Sequence, residues 1–118
     1  MGKRYVQILK ERVDKKQEYF KNYLFYCEKI KNISDEILKK VEVLVFGSVV
    51  KNEHTPLSDI DVLIISENLP EGYEDRIKIK TEIKSKVGSF APFQIHLANP
   101  QEYNNWYKRF IKDVFIKI

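Results

Sequence analysis

The stretch VFGSVVKNEHTPLSDIDVLII, residues 45–65, contains two apolar runs that flank a polar loop. Asp59 and Asp61 open the second run and are separated by one apolar residue. Residues two apart on a β-strand point to the same face, and a rise of about 3.3 Å per residue puts their Cα atoms about 6.6 Å apart. The intervening Ile60 then points to the opposite face, into the core. The apolar pattern and the acidic pair therefore both predict a strand over residues 59–66.

Two carboxylates on one sheet face repel each other, and either a basic side chain or a bound cation can offset that repulsion. Mg²⁺ is typically held in proteins by one or two carboxylates together with substrate phosphates. Gly47 and Ser48 follow a buried strand and begin a helical turn, where backbone N–H groups favour an anion. Lys51 lies one turn further on, and Ser58 directly precedes the acidic pair. The stretch predicts a bound Mg²⁺–triphosphate; a tight turn followed by a solvated strand end is the structural alternative.

The chain has 118 residues, of which 43% are hydrophobic and 32% charged, with a formal net charge of +4. This length and composition predict one globular domain, residues 1–118, with a mixed-charge surface. The single cysteine, Cys27, excludes an internal disulfide and a cysteine-rich metal site, and its helical surroundings predict a small core residue. We expect no membrane span, since no apolar run is long enough. Because no apolar signal segment follows the first residues, we expect a cytoplasmic protein.

The hydrophobic periodicity predicts helices alternating with strands. We expect helices at residues 5–32, 34–40, 73–87 and from 99 to the C-terminus, with strands at residues 41–46, 59–66 and 93–98. Ser34 is the predicted N-cap of the second helix, and Asn99 with Glu102 predicts a capping box at the start of the last. The predicted fold is α/β (α+β), a small mixed sheet of about three to four strands with helices mainly on one face. Its parts are an N-terminal helix (1–33), a catalytic core (41–98) and a C-terminal helix (99–118).

Residues 45–65 also resemble the signature of the polymerase-beta-like nucleotidyltransferases. In that signature a Gly-Ser pair, here Gly47-Ser48, is followed ten residues later by Ser-Asp-Ile-Asp, here residues 58–61, and then by an apolar strand. The short chain looks most like the minimal nucleotidyltransferases of prokaryotes. The family has glycine at the position of Asn52, and asparagine is the usual substitute at a left-handed residue.

The resemblance implies a third acidic residue on a neighbouring strand, which helps to hold a metal and accepts the proton of the attacking hydroxyl. On the strand at residues 93–98 the polar positions are Gln94 and His96. We align Gln94 with the third acid, and His96 is the alternative. A neutral amide adds no negative charge and cannot act as a base, and general base catalysis is worth about 10²–10⁴-fold.

The resemblance therefore implies transfer of a nucleoside monophosphate from a nucleoside triphosphate, with ATP as the expected donor, to a hydroxyl acceptor. It implies Mg²⁺ or Mn²⁺ as the cofactor, held by Asp59 and Asp61. The implied catalytic residues are Asp59, Asp61, Gln94 and His96, and the implied nucleotide-binding residues are Gly47, Ser48, Lys51 and Ser58. A catalytically weakened nucleotide-binding or regulatory subunit is the second interpretation, because Gln94 replaces the third carboxylate.

Minimal members of the family are often paired with a small helical partner protein as antitoxin to toxin, so we expect such a partner or a homo-oligomer. Four rings at helical spacing in the last predicted helix offer an interface or a core stripe: Tyr103, Trp106, Tyr107 and Phe110. Nucleic-acid binding is a third interpretation, resting on basic residues of the first helix: Lys3, Arg4, Lys10, Arg12, Lys15 and Lys16. Acidic residues alternate with them, which favours an ordinary solvated helix surface.

Overall fold

The computed structural model describes residues 2–118, and in that range the chain forms a four-stranded mixed sheet with helices on both faces. The helices are α1 (Gly2–Lys21), α2 (Tyr23–Leu38), α3 (Tyr73–Val87), α4 (Pro100–Glu102) and α5 (Lys108–Ile111), and a π-helical segment, Tyr103–Tyr107, joins the last two. The strands are β1 (Val41–Phe46), β2 (Ile60–Ser66), β3 (Phe93–Ala98) and β4 (Phe115–Lys117). Within residues 2–118, no helix is both long enough and apolar enough to cross a membrane.

The strands lie in the order β3-β2-β1-β4. β1 is antiparallel to both β2 and β4, so the polar loop of residues 47–59 connects two neighbouring antiparallel strands. β2 is parallel to β3, and α3 makes the crossover that a parallel connection requires. Consequently the C-terminal end of β1 meets the N-terminal ends of β2 and β3 at one edge of the sheet.

One face of the sheet, called here the helix face, is apolar except for the buried Ser66 at the end of β2. Alternate residues of three strands point to this face and are buried against α2 and α3: Val43, Val45, Ile60, Val62, Ile64, Phe93, Ile95 and Leu97. Burying a side chain of this size contributes about 1.5–3 kcal/mol, so this face supplies most of the core. Cys27 of α2 is fully buried here, as predicted, and burial raises the pKa of its thiol to about 12.

The opposite face, called here the split face, is apolar over one part and polar over the other. Its apolar part is covered by the C-terminal segment and consists of Leu44, Phe46, Leu63, Ile65, Ala98 and Ile111, with Tyr103, Tyr107 and Phe115 packed against them. Its polar part comprises the remaining alternate positions of β2 and β3, namely Asp61, Gln94 and His96. Strand alternation therefore places the acidic residue and both candidate partners on one side of the sheet.

The prediction of one helix over residues 5–32 was wrong, because the helix is interrupted at Asn22. Asn22 departs from helical geometry with φ −112° and ψ 28°, and asparagine is a weak helix former. The predicted N-cap at Ser34 was also wrong, since α2 continues through this residue to Leu38. Ser34 is buried, and its hydroxyl donates to the Ile30 carbonyl at 2.7 Å, which satisfies it inside the helix.

The prediction of a helix reaching the C-terminus was wrong as well. The helix ends at Ile111, Lys112 takes a left-handed conformation with φ 56°, and residues 115–117 form β4 beside β1. Among the four predicted stripe aromatics, Trp106 and Phe110 are exposed, so only half of the stripe is core.

The other predicted elements are confirmed, including the mixed sheet itself. β1, α3 and β3 have the predicted bounds, and β2 begins one residue later than predicted, at Ile60. The capping box is present: the Asn99 side chain accepts from the Glu102 N–H at 2.8 Å, and the Glu102 carboxylate accepts from the Asn99 N–H at 3.0 Å.

Candidate active site at the edge of the sheet

The candidate site lies where β1 ends and β2 and β3 begin. Asp61 of β2 pairs with Phe46 on one side and with Gln94 on the other. Because directly paired residues point to the same face, the Asp61 carboxylate stands between an aromatic ring and an amide. The Gly47-Ser48 loop follows Phe46 directly, so the loop and the carboxylate are adjacent.

Gly47 is fitted closely against Asp61. Its φ of +85° is a conformation that side chains other than glycine rarely adopt. A Cβ atom at this position would also collide with Oδ2 of Asp61. Glycine is therefore required here for two independent reasons, and its absent side chain leaves room beside a carboxylate oxygen.

The loop after Gly47 makes one turn and then closes on itself. The Lys51 N–H donates to the Gly47 carbonyl at 3.3 Å, and the Glu53 N–H donates to the Ser48 carbonyl at 2.9 Å. Among the described residues, no hydrogen bond uses the backbone N–H of Ser48 or of the two residues after it. Asn52 has φ 57°, which confirms the prediction that asparagine occupies a left-handed position. The turn therefore leaves backbone donors available next to Asp61.

The remaining predicted loop residues differ in how they are engaged. Lys51 is exposed. The Ser58 hydroxyl accepts from the Thr55 N–H at 2.9 Å, so it closes the loop ahead of the acidic pair. Asp59 is exposed and lies just before β2, where it lines a cleft against α1. Because it precedes the first residue of β2, strand alternation does not fix the direction of its side chain, and the predicted shared side of Asp59 and Asp61 stays a prediction.

His96 is bound to Asp61 across the two strands. Its Nε2 lies 3.1 Å from Oδ1 of Asp61, and because a carboxylate only accepts, the ring nitrogen donates. The imidazole lies between two aromatic rings, with its centroid 5.3 Å from that of Phe46 and 6.1 Å from that of Tyr107. This contact fixes the orientations of both His96 and Asp61.

Gln94 has no such partner among the described residues. It is the register partner of Asp61, and its side chain is exposed at the edge strand. The structure thus places Gln94 directly beside Asp61, while His96 reaches Asp61 diagonally from the next position on the same face. Both alternatives of the sequence analysis lie at the site.

The donor set fits a divalent cation of the oxygen-binding kind. Asp59 and Asp61 supply carboxylate oxygens, Gln94 can supply an amide oxygen, and Mg²⁺ keeps several waters and substrate oxygens as further ligands. In residues 2–118, no group of three or more histidine, cysteine or acidic side chains is arranged to hold a metal ion, so a cation here would depend on amide, water and substrate oxygens as well. Of the described basic groups, His96 alone lies within 4.0 Å of Asp61, and none lies that close to Asp59.

The sequence analysis did not predict a contact that attaches the C-terminal segment, residues 99–117, to α3. The Arg76 guanidinium binds both carboxylate oxygens of Glu102, each at 2.9 Å, and its Nε donates to the Pro70 carbonyl at 2.7 Å. This hydrogen bond with Arg76 holds the pKa of Glu102 below its usual value. In the sequence, only the arginine early in α3 and the glutamate of the capping box hint at it.

Partial burial raises the pKa of Tyr107, whose ring forms one wall around His96. The π-helical segment that carries Tyr107 was also missed. Such segments are rare and occur often at functional sites. They have no simple sequence signal, so the helical spacing of the aromatics predicted only an ordinary helix.

Comparison with known proteins agrees with this geometry. The model of the nucleotidyltransferase domain family matches residues 27–117, which include β1, the Gly47-Ser48 loop, the acidic pair and β3. Since this match covers most of the chain, the protein belongs to the nucleotidyltransferase domain family. Helix α1 lies outside the match.

The chain is also similar to three individual proteins. A protein of Methanocaldococcus jannaschii named "putative protein adenylyltransferase" is 33% identical over 63 residues, which are 46% of this chain and 43% of that relative. The chain thus spans less than half the length of this curated relative. A crystal structure described as a "putative nucleotidyltransferase" superposes with a TM-score of 0.61 at 29% identity, covering 77% of this chain and 95% of that one.

A second solved structure shows the same fold at lower identity. It is described as a "putative nucleotidyltransferase from Sulfolobus solfataricus" and has a TM-score of 0.58 at 18% identity, covering 86% of this chain and 84% of that one. This chain and that structure therefore share the same fold.

Proposed function

We propose that this chain transfers a nucleoside monophosphate from ATP to a hydroxyl group on a protein. The observation that carries the proposal is the fit of Gly47 against Asp61, which joins a loop with free backbone donors to a carboxylate. The family match supports nucleotidyl transfer, and the name of the archaeal relative supports a protein acceptor and an adenylyl donor.

Each residue of the site has a part in the proposed reaction. The triphosphate binds the N–H groups after Gly47 and the Ser48 hydroxyl, because oriented backbone donors favour anions. Lys51, on the same turn, adds positive charge near the phosphates. Asp59 and Asp61 would hold Mg²⁺ or Mn²⁺, which supplies positive charge for the transferred and leaving oxygens.

The bond changes are those of an in-line displacement at phosphorus. The acceptor oxygen bonds to the α-phosphorus, the bond from the α-phosphorus to the β-phosphate oxygen breaks, and pyrophosphate leaves. The hydroxyl proton must pass to a base. Gln94 cannot take it, whereas His96 carries a second ring nitrogen besides the one bound to Asp61.

The test is incubation with α-labelled ATP, Mg²⁺ or Mn²⁺ and candidate protein acceptors. We expect label on protein and release of pyrophosphate, both dependent on the divalent cation. The proposal is wrong if neither labelling nor cation-dependent ATP binding occurs with any acceptor tested.

Gln94 favours a second candidate, a weakened nucleotide-binding subunit that regulates a partner. Gln94 pairs with Asp61 in the strand register, and we align it with the family's third acid. The site would then carry one negative charge fewer when it binds a nucleotide. Replacing Gln94 by glutamate separates the candidates. A weakened site gains about 10-fold or more in transfer rate, whereas an active site that uses His96 gains nothing and loses activity in His96→Gln instead.

We also propose that the protein works with a second chain, either a helical partner in a toxin–antitoxin pair or another copy of itself. Large apolar side chains exposed on the helical surfaces support this: Phe25, Tyr73, Trp106 and Phe110 are each at least 70% exposed. Light scattering of the chain alone, and of the chain expressed with its operon neighbour, distinguishes the two assemblies, and a monomer in both preparations would exclude them.

A further inference from the structure

A basic cleft of about 710 Å³ lies beside the candidate site, between α1 and the segment that joins α3 to β3. Four cationic side chains line it: Arg12, Lys15 and Lys16 on α1, and Lys84 on α3. Asp59 lies in its wall, so the cleft reaches one of the two acidic residues of the candidate site. The proposed reaction uses none of the four cations.

The spacing on α1 explains how the cations come together. Arg12, Lys15, Lys16 and Tyr19 follow the i, i+3, i+4, i+7 pattern that places residues on one face of a helix. Glu11, Asp14 and Glu18 fall between them on other faces. The cleft side of α1 therefore carries three cations and none of these acidic residues.

These cations have no acidic partner within the chain. Among the described residues, none of the four forms an ion pair with a carboxylate, and Asp59 in the same cleft also forms none. Four like charges brought together repel one another, and a cleft lined by one sign of charge concentrates ligands of the opposite sign. The unpaired charge therefore indicates an anionic ligand.

The position of the cleft assigns it to one of the two substrates. Gly47 follows β1, whereas the cleft segment of residues 88–92 precedes β3, and β2 lies between those strands. The Ile60 N–H donates to the Pro92 carbonyl at 2.7 Å, which attaches this segment to the start of β2. The cleft thus approaches Asp59 from the side away from the phosphate-binding loop, where an in-line attack requires the acceptor.

We infer that the cleft binds the acceptor, and that the acceptor presents its hydroxyl group on an acidic protein segment. This inference rests on the proposed function. A short acidic segment matches the four cations of the cleft, whereas single-stranded nucleic acid occupies basic tracks of about 4–16 nucleotides. Phe90 is fully exposed at the rim, and Tyr19 lines the wall, so the segment also meets two rings.

Binding of a labelled random copolymer of glutamate and tyrosine tests the inference without requiring transfer. The variant Arg12→Gln/Lys15→Gln/Lys84→Gln removes cleft cations that are partly or fully exposed. The matched control is Arg4→Gln/Lys10→Gln/Lys78→Gln, which removes the same charges from the same two helices outside the cleft. We expect the cleft variant to bind the copolymer about tenfold more weakly or worse at low salt, and the control to change by about twofold or less.

Three further probes complete the experiment: ATP with Mn²⁺, a 20-residue oligothymidylate, and a copolymer of lysine and tyrosine. We expect ATP binding to be equal in the wild type and the cleft variant, and the lysine copolymer not to bind. The inference is overturned if ATP binding falls with copolymer binding, since the cleft would then hold the donor phosphates. It is also overturned if the oligothymidylate binds the cleft more tightly than the glutamate copolymer, or if both variants weaken binding equally.

Failure of the proposed function has a different signature. In that case the wild type neither binds ATP with Mn²⁺ nor transfers label, while copolymer binding to the cleft persists and still depends on its three cations. If the glutamate copolymer fails to bind while ATP binds and label is transferred, the inference about the acceptor is wrong and the proposed function stands.

Discussion

The two faces of the sheet are built from the same strands but have different roles. On the helix face the positions of β1, β2 and β3 are apolar and buried, apart from the half-buried Val41 and the polar Ser66, and α2 and α3 pack against them. On the split face Leu63 and Ile65 are buried under the C-terminal segment, whereas Asp61 at the start of the same strand remains partly exposed. Because neighbouring residues of a strand point to opposite faces, β2 can supply core on one side and chemistry on the other.

The site depends on where the C-terminal segment, residues 99–117, stops covering the split face. Tyr107 reaches the ring of His96 but leaves Asp61 and Gln94 accessible. A carboxylate at the same strand position on the helix face would be buried without water, and such a burial is costly unless the charge is paired. The split face therefore has a packed apolar part and an accessible polar part that contains Asp61 and Gln94.

The sharpest test of the comparison is Asp61→Asn. We expect transfer to fall by about 10²–10³-fold, because a charged group at the reacting centre is lost, while the protein stays folded. Glu42→Gln is the matched control, since Glu42 points to the split face from the far end of β1 and is exposed. Transfer assays with circular dichroism check both variants, and equal activity in Asp61→Asn and wild type would remove Asp61 from the site.

Truncation of neighbouring residues on β2 compares the two faces directly. Ile64 and Leu63 are both fully buried, on the helix face and the split face respectively. We expect Ile64→Ala and Leu63→Ala each to lower the free energy of unfolding by about 2–5 kcal/mol in urea titrations.

The effects on catalysis should differ between these two variants. Leu63 is the register partner of His96, so Leu63→Ala should also lower the transfer rate of the folded protein. Ile64→Ala should leave that rate unchanged under conditions in which the protein is fully folded. Equal transfer rates would mean that the two faces are not functionally distinct.

Gly47→Ala tests the close approach at the edge of the split face. We expect a loss of stability of about 1–2 kcal/mol from the positive φ, and a larger loss of activity because the Asp61 carboxylate must move. Gly72→Ala is the control, because Gly72 has φ −68° and its added Cβ would lie 3.3 Å from the side chain of Asp75. If Gly47→Ala loses no more stability and activity than Gly72→Ala, the loop and the Asp61 carboxylate are not coupled.

The smallest expected effect concerns the attachment of the covering segment. Arg76 lowers the pKa of Glu102 in the folded state, so this pair contributes stability above the usual value of 4.5 and loses it as the pH falls further. Glu102 is 42% exposed, and solvent screening limits the contribution to about 0.5 kcal/mol. Urea titrations at pH 7 and pH 3 should show a smaller pH dependence in Glu102→Gln than in the wild type, whereas an equal dependence would contradict the assignment.

Local sequence patterns were sufficient for much of the fold. Alternation of apolar residues predicted β1 and β3 at their observed bounds, and the capping box at Asn99 was found from its spacing alone. These signals are reliable because each depends on residues within a few positions of one another. The acidic pair and the Gly47-Ser48 loop were identified in the same way, and their roles in catalysis stay predictions.

The contacts between distant segments were not predictable from such patterns. Val114 follows the last helix at helical spacing, yet residues 115–117 form β4. Pairing with β4 satisfies the backbone hydrogen-bonding groups on the free side of β1, and this overrides the local preference. Asn22 interrupts the first helix for a reason that spacing did not reveal. At residues 115–117 the local helical preference therefore gave way to the tertiary structure.

Alternation and capping residues were enough to predict which strand residues face the core, because these signals act over a few residues of the backbone. The contact of His96 with Asp61 and the approach of α1 and α3 cations to Asp59 depend on the tertiary structure. Those neighbours lie far apart in the chain, and the packing of the sheet against its helices, which no short pattern encodes, sets the distances between them.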